Sequence, residues 1–525
     1  MTARTVWRTI CAIDEILPDS GVAALIGDEQ VAVFRVGSED TVYALGNHDP
    51  FSGTNVLSRG IVGDIGGVLV VASPIYKQHF RLEDGVALED PAVRIPSYPA
   101  RVYKGAVQVS ISVSAVTRSS ARLRLVMIGN GMAGMRVIEE LCRIAPDRYD
   151  ITIFGAEPEG NYNRIMLSSL LADECSRDDL TLHSPLWYAE EGIRLVLGDP
   201  VISIDRARRE VRSAAGEVIS YDRLLLAVGS SPNQLRVKGA TLPGVMTFRD
   251  LSDVEAMKTA ASQGRDAVVI GGGLLGLEAA YGLIKLGMDV TVVHSKPFLM
   301  ERQLDAFGAE LLKASLEQKG MKFRLSAKTE ALEGDEGVSH VRLSDGSRLK
   351  ADLVVLAIGI TPNVLLAQEA SLQVNRGILV DDTMQTFDPR IYAVGECCEH
   401  RAKMYGLVAP LYEQARVCAA HLAGAGHVRY AGSTTSTSLK VTGIEVFAAG
   451  DLSGEGAEEL VMRDAAGCVY KRLVVRDERL AGALLVGDAS DGAWYHDLIC
   501  SQENIAPIRD RMLFGRAHVE IPKAA

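Results

Sequence analysis

Between Val22 and Ser112 the apolar residues come in short runs: VAALI, QVAVFRV, TVYAL, GVLVVAS and AVQVSISV. Turn signals (DSG, GDE, GSED, LEDG) separate them, and no helical period is sustained. The pattern predicts a small all-β domain over residues 1–113. SAVTRSSAR follows, small and polar without a period, and residues 114–121 read as a linker.

From Leu123 the pattern alternates strand and helix. LRLVMIG precedes a helical MRVIEELCRIA and then DITIFGA; later DAVVIGG leads into LLGLEAAYGLIKLG and DVTVVHS. These are one β-α-β unit written twice, with first glycines Gly129 and Gly271 at a spacing of 271 − 129 = 142 residues. That spacing predicts one Rossmann-like domain, 122–250 and 364–426, with a second, 251–363, inserted into it. Short strands return after Gly426 (TSLKVTGIEVFAAGD, CVYKRLVV, LAGALLVGD), and a helical AWYHDLICSQENIAPIRDRMLFG closes a small α+β domain over 427–525. The expected fold class is therefore multidomain: an all-β domain, an α/β two-dinucleotide unit, and a small α+β domain.

Composition adds limits. At roughly 100–200 residues per domain, 525 residues predict about three to five domains. A hydrophobic share of 47% argues against disorder. The 67 acidic against 55 basic residues leave a net charge of −12, which argues against nucleic acid as a partner. No long apolar core precedes Asp14 and Glu15, so no leader is expected. The most apolar stretch, 267–287, contains Glu278, Lys285 and four glycines, too interrupted for a membrane span. The eight cysteines have no CxxC or CxxxxC spacing, so a disulfide framework, a structural zinc and a dithiol site are not expected, and the cytoplasm is the expected compartment.

Two glycine motifs carry the chemistry. Gly129-Asn130-Gly131-Met132-Ala133-Gly134 has G-x-G-x-x-G spacing between a strand and a helix. Gly129 permits the tight turn, Gly131 the approach of a pyrophosphate, and Gly134 close helix–strand packing. Gly271-Gly272-Gly273-Leu274-Leu275-Gly276 repeats it. Two such turns imply two dinucleotides, and a flavin with a nicotinamide is the natural pair because hydride transfer joins them. The acid that would bind a ribose hydroxyl at the strand end is imperfect in both copies: Gly155 stands there first, with Glu157 two residues on, and His294 stands there second, before Ser295 and Lys296. Lys296 could favour a 2′-phosphate, or His294 and Lys296 could belong to a solvated loop. NADH versus NADPH stays open.

Further stretches appear in order: YNRIMLSS from Tyr162, Ala227-Val228-Gly229, Ala357-Ile358-Gly359 and Tyr392-Ala393-Val394-Gly395-Glu396. With the glycine motifs, this set resembles the two-dinucleotide-fold flavoprotein reductases over roughly Leu123 to Gly424. YNRIMLSS, GGGLLGLEAA, LMERQLD, YAVGECCEH and YGLVAPLYEQA are most similar to the flavin module of assimilatory NAD(P)H nitrite reductases. SLKVTGIEV, YKRLVV and LAGALLVGDASD resemble the small domain that follows it. The resemblance implies that Gly129, Gly131, Met132, Ala133 and Gly134 hold FAD, with Glu157, Arg164, Ser168, Ala227, Gly229 and Gly395 beside it. Glu396, where the family usually has Asp, would bind the ribityl chain. Gly271, Gly273, Leu275, Gly276, His294 and Gly359 would serve NADH or NADPH, and Glu278 would place the nicotinamide. Pro410, Leu411 and Tyr412 would begin a helix at the flavin's pyrimidine edge. Tyr412 and Glu413 could equally be ordinary helix surface.

In the N-terminal domain, SPIYKQHFRLEDG from Ser73 and the earlier Gly46-Asn47-His48 resemble the two boxes of a Rieske domain. Such a cluster needs two thiolates and two imidazoles, and the four positions read Gly46, His48, Ser73 and Tyr76. No [2Fe–2S] cluster and no other metal is expected, and His48 and His79 read as structural. The domain resembles the cluster-free small subunit of the same reductases and would dock or stabilise. Cys500 is alone after Asp488, so no further iron–sulfur or sirohaem site is expected; Cys397 and Cys398 read as packing near the flavin.

The implied activity is an FAD-dependent NAD(P)H oxidoreductase. Its electrons would go to a separate protein: a nitrite or nitrate reductase catalytic subunit, or a ferredoxin. Alternatives are a general ferredoxin or rubredoxin reductase serving an acceptor such as an oxygenase, and a non-catalytic flavin-binding sensor or scaffold. A membrane partner is not expected. The acceptor stays open, as does the oligomeric state, a homodimer being one option.

Overall fold

The strand Glu29–Val36 buries four successive residues, Val31 to Phe34, which an isolated half-buried strand would not do. The computed structural model gives the reason. Ala32 and Phe34 face one core with Leu45, Phe80 and Leu82; Val31 and Val33 face a second with Val107 and Val109. The strand is sandwiched. Around it all pairings are antiparallel: Ser20–Ile26, Glu29–Val36, Thr41–Gly46 and Ser97–Tyr98 form one sheet. Arg4–Ala12, Ala106–Val113 and Ala100–Tyr103 form another, and Ile61–Ile65, Val68–Ala72 and His79–Arg81 a third. The described residues are 4–26, 29–37, 41–113, 122–424, 428–434, 436–441, 443–464 and 466–519. The chain divides into the units Met1–Ala121 and Arg122–Ala525. The linker expected at 114–121 lies outside the described residues.

The second unit contains two five-stranded parallel sheets. The first runs Arg194–Leu197, Tyr149–Gly155, Leu123–Ile128, Arg223–Leu226, Ile391–Ala393. The second runs Lys322–Arg324, Asp289–Val293, Asp266–Ile270, Leu353–Leu356, Val245–Thr247. The first four strands follow the same order in both; the edge strand comes last in the chain in the first sheet and first in the second. After Leu226 the chain leaves the first sheet, builds the second, and returns to add Ile391–Ala393 at the first sheet's edge. The two crossings, Ser230–Pro232 and Ile360–Pro362, pair antiparallel. Continuous apolar runs such as LRLVMI and DAVVI follow from this architecture, since parallel strands are covered on both faces.

Five antiparallel strands close the unit, in the order Ser436–Val441, Ile444–Gly450, Arg479–Gly487, Val469–Arg476, Glu458–Asp464. The helix Gly492–Ser501 packs Trp494, Tyr495 and Leu498 against Phe447 and Leu485. The helical stretch expected to run to Phe514 is broken. Gln502 takes a left-handed φ of 54° and Pro507 follows, so only a 3-10 turn, Arg509–Phe514, resumes.

Leu225 is fully buried in the first parallel sheet. Leu225→Ala is expected to cost about 2–5 kcal/mol, read as a lower thermal midpoint with a retained far-ultraviolet circular dichroism spectrum.

Candidate active site

Each glycine motif folds as a turn laid across the end of the neighbouring strand. Gly129 has φ +102° and donates its N–H to Phe154 O at 2.8 Å; Gly271 has φ +128° and donates to Val293 O at 2.9 Å. A Cβ at either would sit 2.2 Å from a backbone oxygen, that of Ala227 or Ala357. Further along, Gly134 leaves room for the Ala227 methyl, against which a Cβ would stand at 2.7 Å. Gly131 and Gly273, in contrast, face open space: a Cβ there meets no atom within 4 Å. They are the residues preceding the helices Met132–Ile144 and Leu274–Lys285, whose first N–H groups point outward with the positive end of the helix dipole. This is an anion cradle in both copies.

A cavity of about 1200 Å³ opens at the first turn. Gly129, Gly131, Met132, Ala133, Glu157, Arg164, Ser168, Ala227, Gly229, Leu275, Glu278, Gly395, Glu396 and Leu411 line it. Gly134, Gly271, Gly273, Gly276, His294, Gly359, Pro410 and Tyr412 do not. The size suits a large, extended ligand. Asn130 leaves its buried Nδ2 without a partner among the described residues, while its Oδ1 accepts from the Tyr188 hydroxyl at 3.2 Å. A donor left unmet beside an anion cradle fits a ligand rich in acceptors, as a dinucleotide is.

Several side chains are already fixed. Glu157 accepts from the Tyr162 hydroxyl at 2.6 Å and pairs with Arg164, whose Nη1 also donates to Arg249 O at 3.1 Å. Glu396 accepts from Ser230 Oγ at 2.7 Å and from Arg249 Nη2 at 2.6 Å. Glu278 faces the cavity from the second glycine helix, with the Ser168 hydroxyl close enough to draw its pKa down somewhat. Burial pushes the Glu278 carboxyl up to about 7, more than the hydroxyl draws it down.

Three expectations need correction. The helix expected to begin at Pro410 begins at Val408. Pro410 sits in its first turn, where the missing N–H costs nothing, so Gly406, Leu407, Val408 and Ala409 reach the cavity first. Tyr412 turns away from it and lies 5.6 Å from the Arg136 guanidinium, on the neighbouring helix. His294 is neither solvated nor at the cavity wall. It is 8% exposed, and its Nδ1 accepts the Gly272 N–H at 3.1 Å. Cys397 and Cys398 are buried, with thiols donating to Val394 O and Gly395 O at 3.3 Å, and burial pushes both pKa values up.

Arg249, Asn130 and Ser230 escaped the sequence reading. Arg249 stands in TFRDLSDV, just before Asp250 caps the helix Leu251–Gln263. Nothing local ties it to Glu396. Asn130 was readable as the variable position of the motif, but not its unmet donor.

In the N-terminal unit the four box positions carry the wrong donors for an iron–sulfur cluster. Ser73 is buried and donates to Asp49 Oδ2 at 2.7 Å; Asp49 also accepts from Ser52 Oγ and Phe51 N. These bonds hold the Asp49 carboxyl below its usual range against the cost of burial. His48 is exposed and bonded to Asn55, and Tyr76 is 62% exposed. One hydroxyl already committed to a carboxylate, an exposed tyrosine, a glycine and one outward imidazole do not fit the cluster.

Comparison with known proteins agrees with this division of the chain. The family described as pyridine nucleotide-disulphide oxidoreductase matches residues 123–421. A Rieske-like [2Fe-2S] domain matches 6–110, and a rubredoxin NAD+ reductase C-terminal domain matches 436–503. The chain is 49% identical over 384 residues to a nitrite reductase [NAD(P)H] of Bacillus subtilis, covering 73% of this chain and 48% of that protein. It is 46% identical over 391 residues to the assimilatory nitrate reductase electron transfer subunit of the same organism, covering 74% and 51%. The chain thus spans about half the length of these relatives. A rubredoxin-NAD(+) reductase of Ectopseudomonas oleovorans is 35% identical over 291 residues, 55% of this chain and 75% of that one. Among solved structures, a ferredoxin reductase of Rhodopseudomonas palustris superposes with a TM-score of 0.66 at 27% identity, over 71% of this chain and 93% of that one.

The Glu278 pKa sets a pH test. The unfolded chain releases this proton near 4.5, the folded protein only near 7. Burial therefore costs nothing below pH 4.5, a growing amount between, and its full value, at most about 3 kcal/mol, above 7. Glu278→Gln is expected to raise the thermal midpoint above pH 7 relative to the parent and to leave it unchanged below pH 5, read by scanning calorimetry across that range.

Proposed function

Because the chain belongs to the pyridine nucleotide-disulphide oxidoreductase family, we propose that it is an FAD-dependent NAD(P)H oxidoreductase passing electrons to a separate redox protein of nitrite or nitrate assimilation. The observation that carries this reading is the pairing of two glycine turns, one at the large cavity, with the second turn's helix sending Leu275 and Glu278 into that same cavity. Bound FAD would supply the redox chemistry, acceptance of a hydride from NAD(P)H and delivery of single electrons.

The chain's own residues hold, orient and shield. The N–H groups after Gly131 neutralise the pyrophosphate, and Asn130 Nδ2 supplies a further donor. Arg249 and Ser230 fix the Glu396 carboxylate, so it accepts hydroxyl hydrogen bonds without searching rotamers. The first N–H groups of the helix Val408–Leu422 present partial positive charge to the cavity, which favours negative charge on whatever lies there. Glu278, neutral below about pH 7, can both donate and accept at the nicotinamide amide. Ser436 and Thr437 of the C-terminal sheet complete the wall and help exclude water. The donor set of the N-terminal unit does not fit an iron–sulfur cluster, which leaves a docking or stabilising role for it.

The relatives support nitrite or nitrate assimilation as the destination of the electrons. The C-terminal match and the ferredoxin reductase likeness support the second reading, a general ferredoxin or rubredoxin reductase. Anaerobic mixing of the purified protein with NADH or NADPH is expected to bleach the flavin absorbance band within seconds, with no iron in the sample. Gly131→Val, which fills the cradle, is expected to purify without flavin. Bound flavin that neither nicotinamide reduces would sink the proposal in favour of a sensor. Turnover with ferredoxin or rubredoxin, but not with a nitrite or nitrate reductase subunit, would move the protein to the second reading.

A further inference from the structure

The second parallel sheet lacks an acid where a ribose-binding acid normally stands. The strand Asp289–Val293 ends at His294, and a carboxylate at this point of a dinucleotide fold accepts the 2′-hydroxyl of the adenosine ribose. The imidazole leads to one instead. Gly272 donates its N–H to Nδ1 at 3.1 Å, which makes Nδ1 the acceptor and leaves the ring proton on Nε2. Nε2 lies 3.1 Å from Glu301 Oε2 and donates to it. The ring thus spans from the glycine turn to a carboxylate.

Glu301 is held from its backbone side as well. Met300, 1% exposed, donates its N–H to Gly272 O at 3.0 Å. Leu299 is fully buried, and its Cδ2 stands 2.8 Å from where a Gly272 Cβ would be. His294 Cγ stands 2.7 Å from the same point. The loop 299–301 and the strand end therefore converge on one glycine of the second turn. Gly272 is tied to both by its N–H and its carbonyl, and any side chain there would expel both neighbours. Among the described residues, no hydrogen bond or ion pair engages Glu301 Oε1.

We infer that Glu301, oriented by His294, is the carboxylate that receives the adenosine ribose hydroxyls at the second turn, and that the site thereby selects NADH over NADPH. This rests on the reading of that turn as the NAD(P)H site. Charge decides between the two nucleotides. A fixed carboxylate accepts hydrogen bonds from a free diol and repels a 2′-phosphate. Lys296, Arg302 and Arg324 lie nearby and would favour the phosphate, but none of them is bonded to the turn, whereas Glu301 is bonded to His294 and follows Met300, whose N–H is tied to Gly272. Ordering a free lysine or arginine costs side-chain entropy that the held carboxylate does not incur.

The test is calorimetric titration of the flavin-loaded protein with ADP-ribose and with 2′-phospho-ADP-ribose, which reads binding without turnover. The parent protein is expected to bind ADP-ribose at least about tenfold more tightly, since a hydrogen bond to a charged group is worth about that much or more. Glu301→Gln is expected to weaken ADP-ribose and to strengthen the phosphorylated ligand, closing most of the gap. His294→Leu, which removes the orienting ring, is expected to narrow the gap too. Glu301 is exposed, so its variant should fold, and unchanged flavin content in both variants serves as the control for folding. Tighter binding of the 2′-phosphorylated ligand by the parent, equal binding of the two, or an unchanged ratio in Glu301→Gln would overturn the inference while leaving the nucleotide site intact. Failure of either ligand to bind the parent at all would overturn the reading of the second turn, and this inference with it.

Discussion

A Cβ atom at Gly129 would stand 2.2 Å from the carbonyl oxygen of Ala227, and one at Gly271 would stand 2.2 Å from that of Ala357. Both glycines have positive φ, so only a residue without a side chain can lay the turn across the adjacent strand end. The strand ends answer with a matching feature. Ala227 and Ala357 donate their own N–H groups to Ile128 O and Ile270 O, and present only methyls to Gly134 and Gly276. The short motifs Ala-Val-Gly and Ala-Ile-Gly are therefore the floor of the two turns as much as a wall of a ligand site. Everything with chemistry in this unit is positioned from these contacts: the outward N–H groups, the open space at Gly131 and Gly273, and the helix that brings Glu278 to the cavity.

This constraint also explains which parts of the protein are readable in the sequence. A turn that only glycine can make leaves glycines at fixed spacing, and a buried parallel strand leaves an unbroken apolar run. Both were legible, as was the insertion of one unit in the other. Pairings between distant segments leave no such trace. Arg249 with Glu396 and His294 with Glu301 each join residues whose local patterns suggest helix starts or loops. Pro410 misplaced the start of its helix because proline is tolerated anywhere in a first turn. His294 misled for a different reason. Its neighbours Ser295 and Lys296 are exposed, while it is sealed by a backbone N–H from a turn 22 residues earlier.

The N-terminal unit makes the complementary point about inherited shape without inherited chemistry. Its loops still meet where a cluster would lie, but the meeting is secured by Asp49 accepting from Ser73, Ser52 and Phe51. A buried carboxylate with three donors is satisfied and rigid. The network does for the loops what metal ligation would otherwise do, which is to tie Ser73, 24 residues away, to the Asp49 turn. Sequence comparison alone reports a Rieske-like [2Fe-2S] domain; the side-chain chemistry at four positions separates the shape from the cofactor.

Ser230 links the two scales of the second unit. It begins one of the two antiparallel crossings between the parallel sheets, and its hydroxyl donates to Glu396 while accepting from Arg249. Arg249 follows the second sheet's strand Val245–Thr247, and Glu396 follows the first sheet's strand Ile391–Ala393. The triad is not alone in joining the two folds, since Leu170 and Leu171 of the first share one buried cluster with Ala267, Val269 and Leu283 of the second. The ion pair is partly shielded, with side chains 23% and 17% exposed, so separating its partners costs more than at an open surface. The same three residues that shape the cavity wall thus also tie the two folds together. This hydrogen-bonded group and the shared apolar cluster together join the cavity wall to both dinucleotide folds.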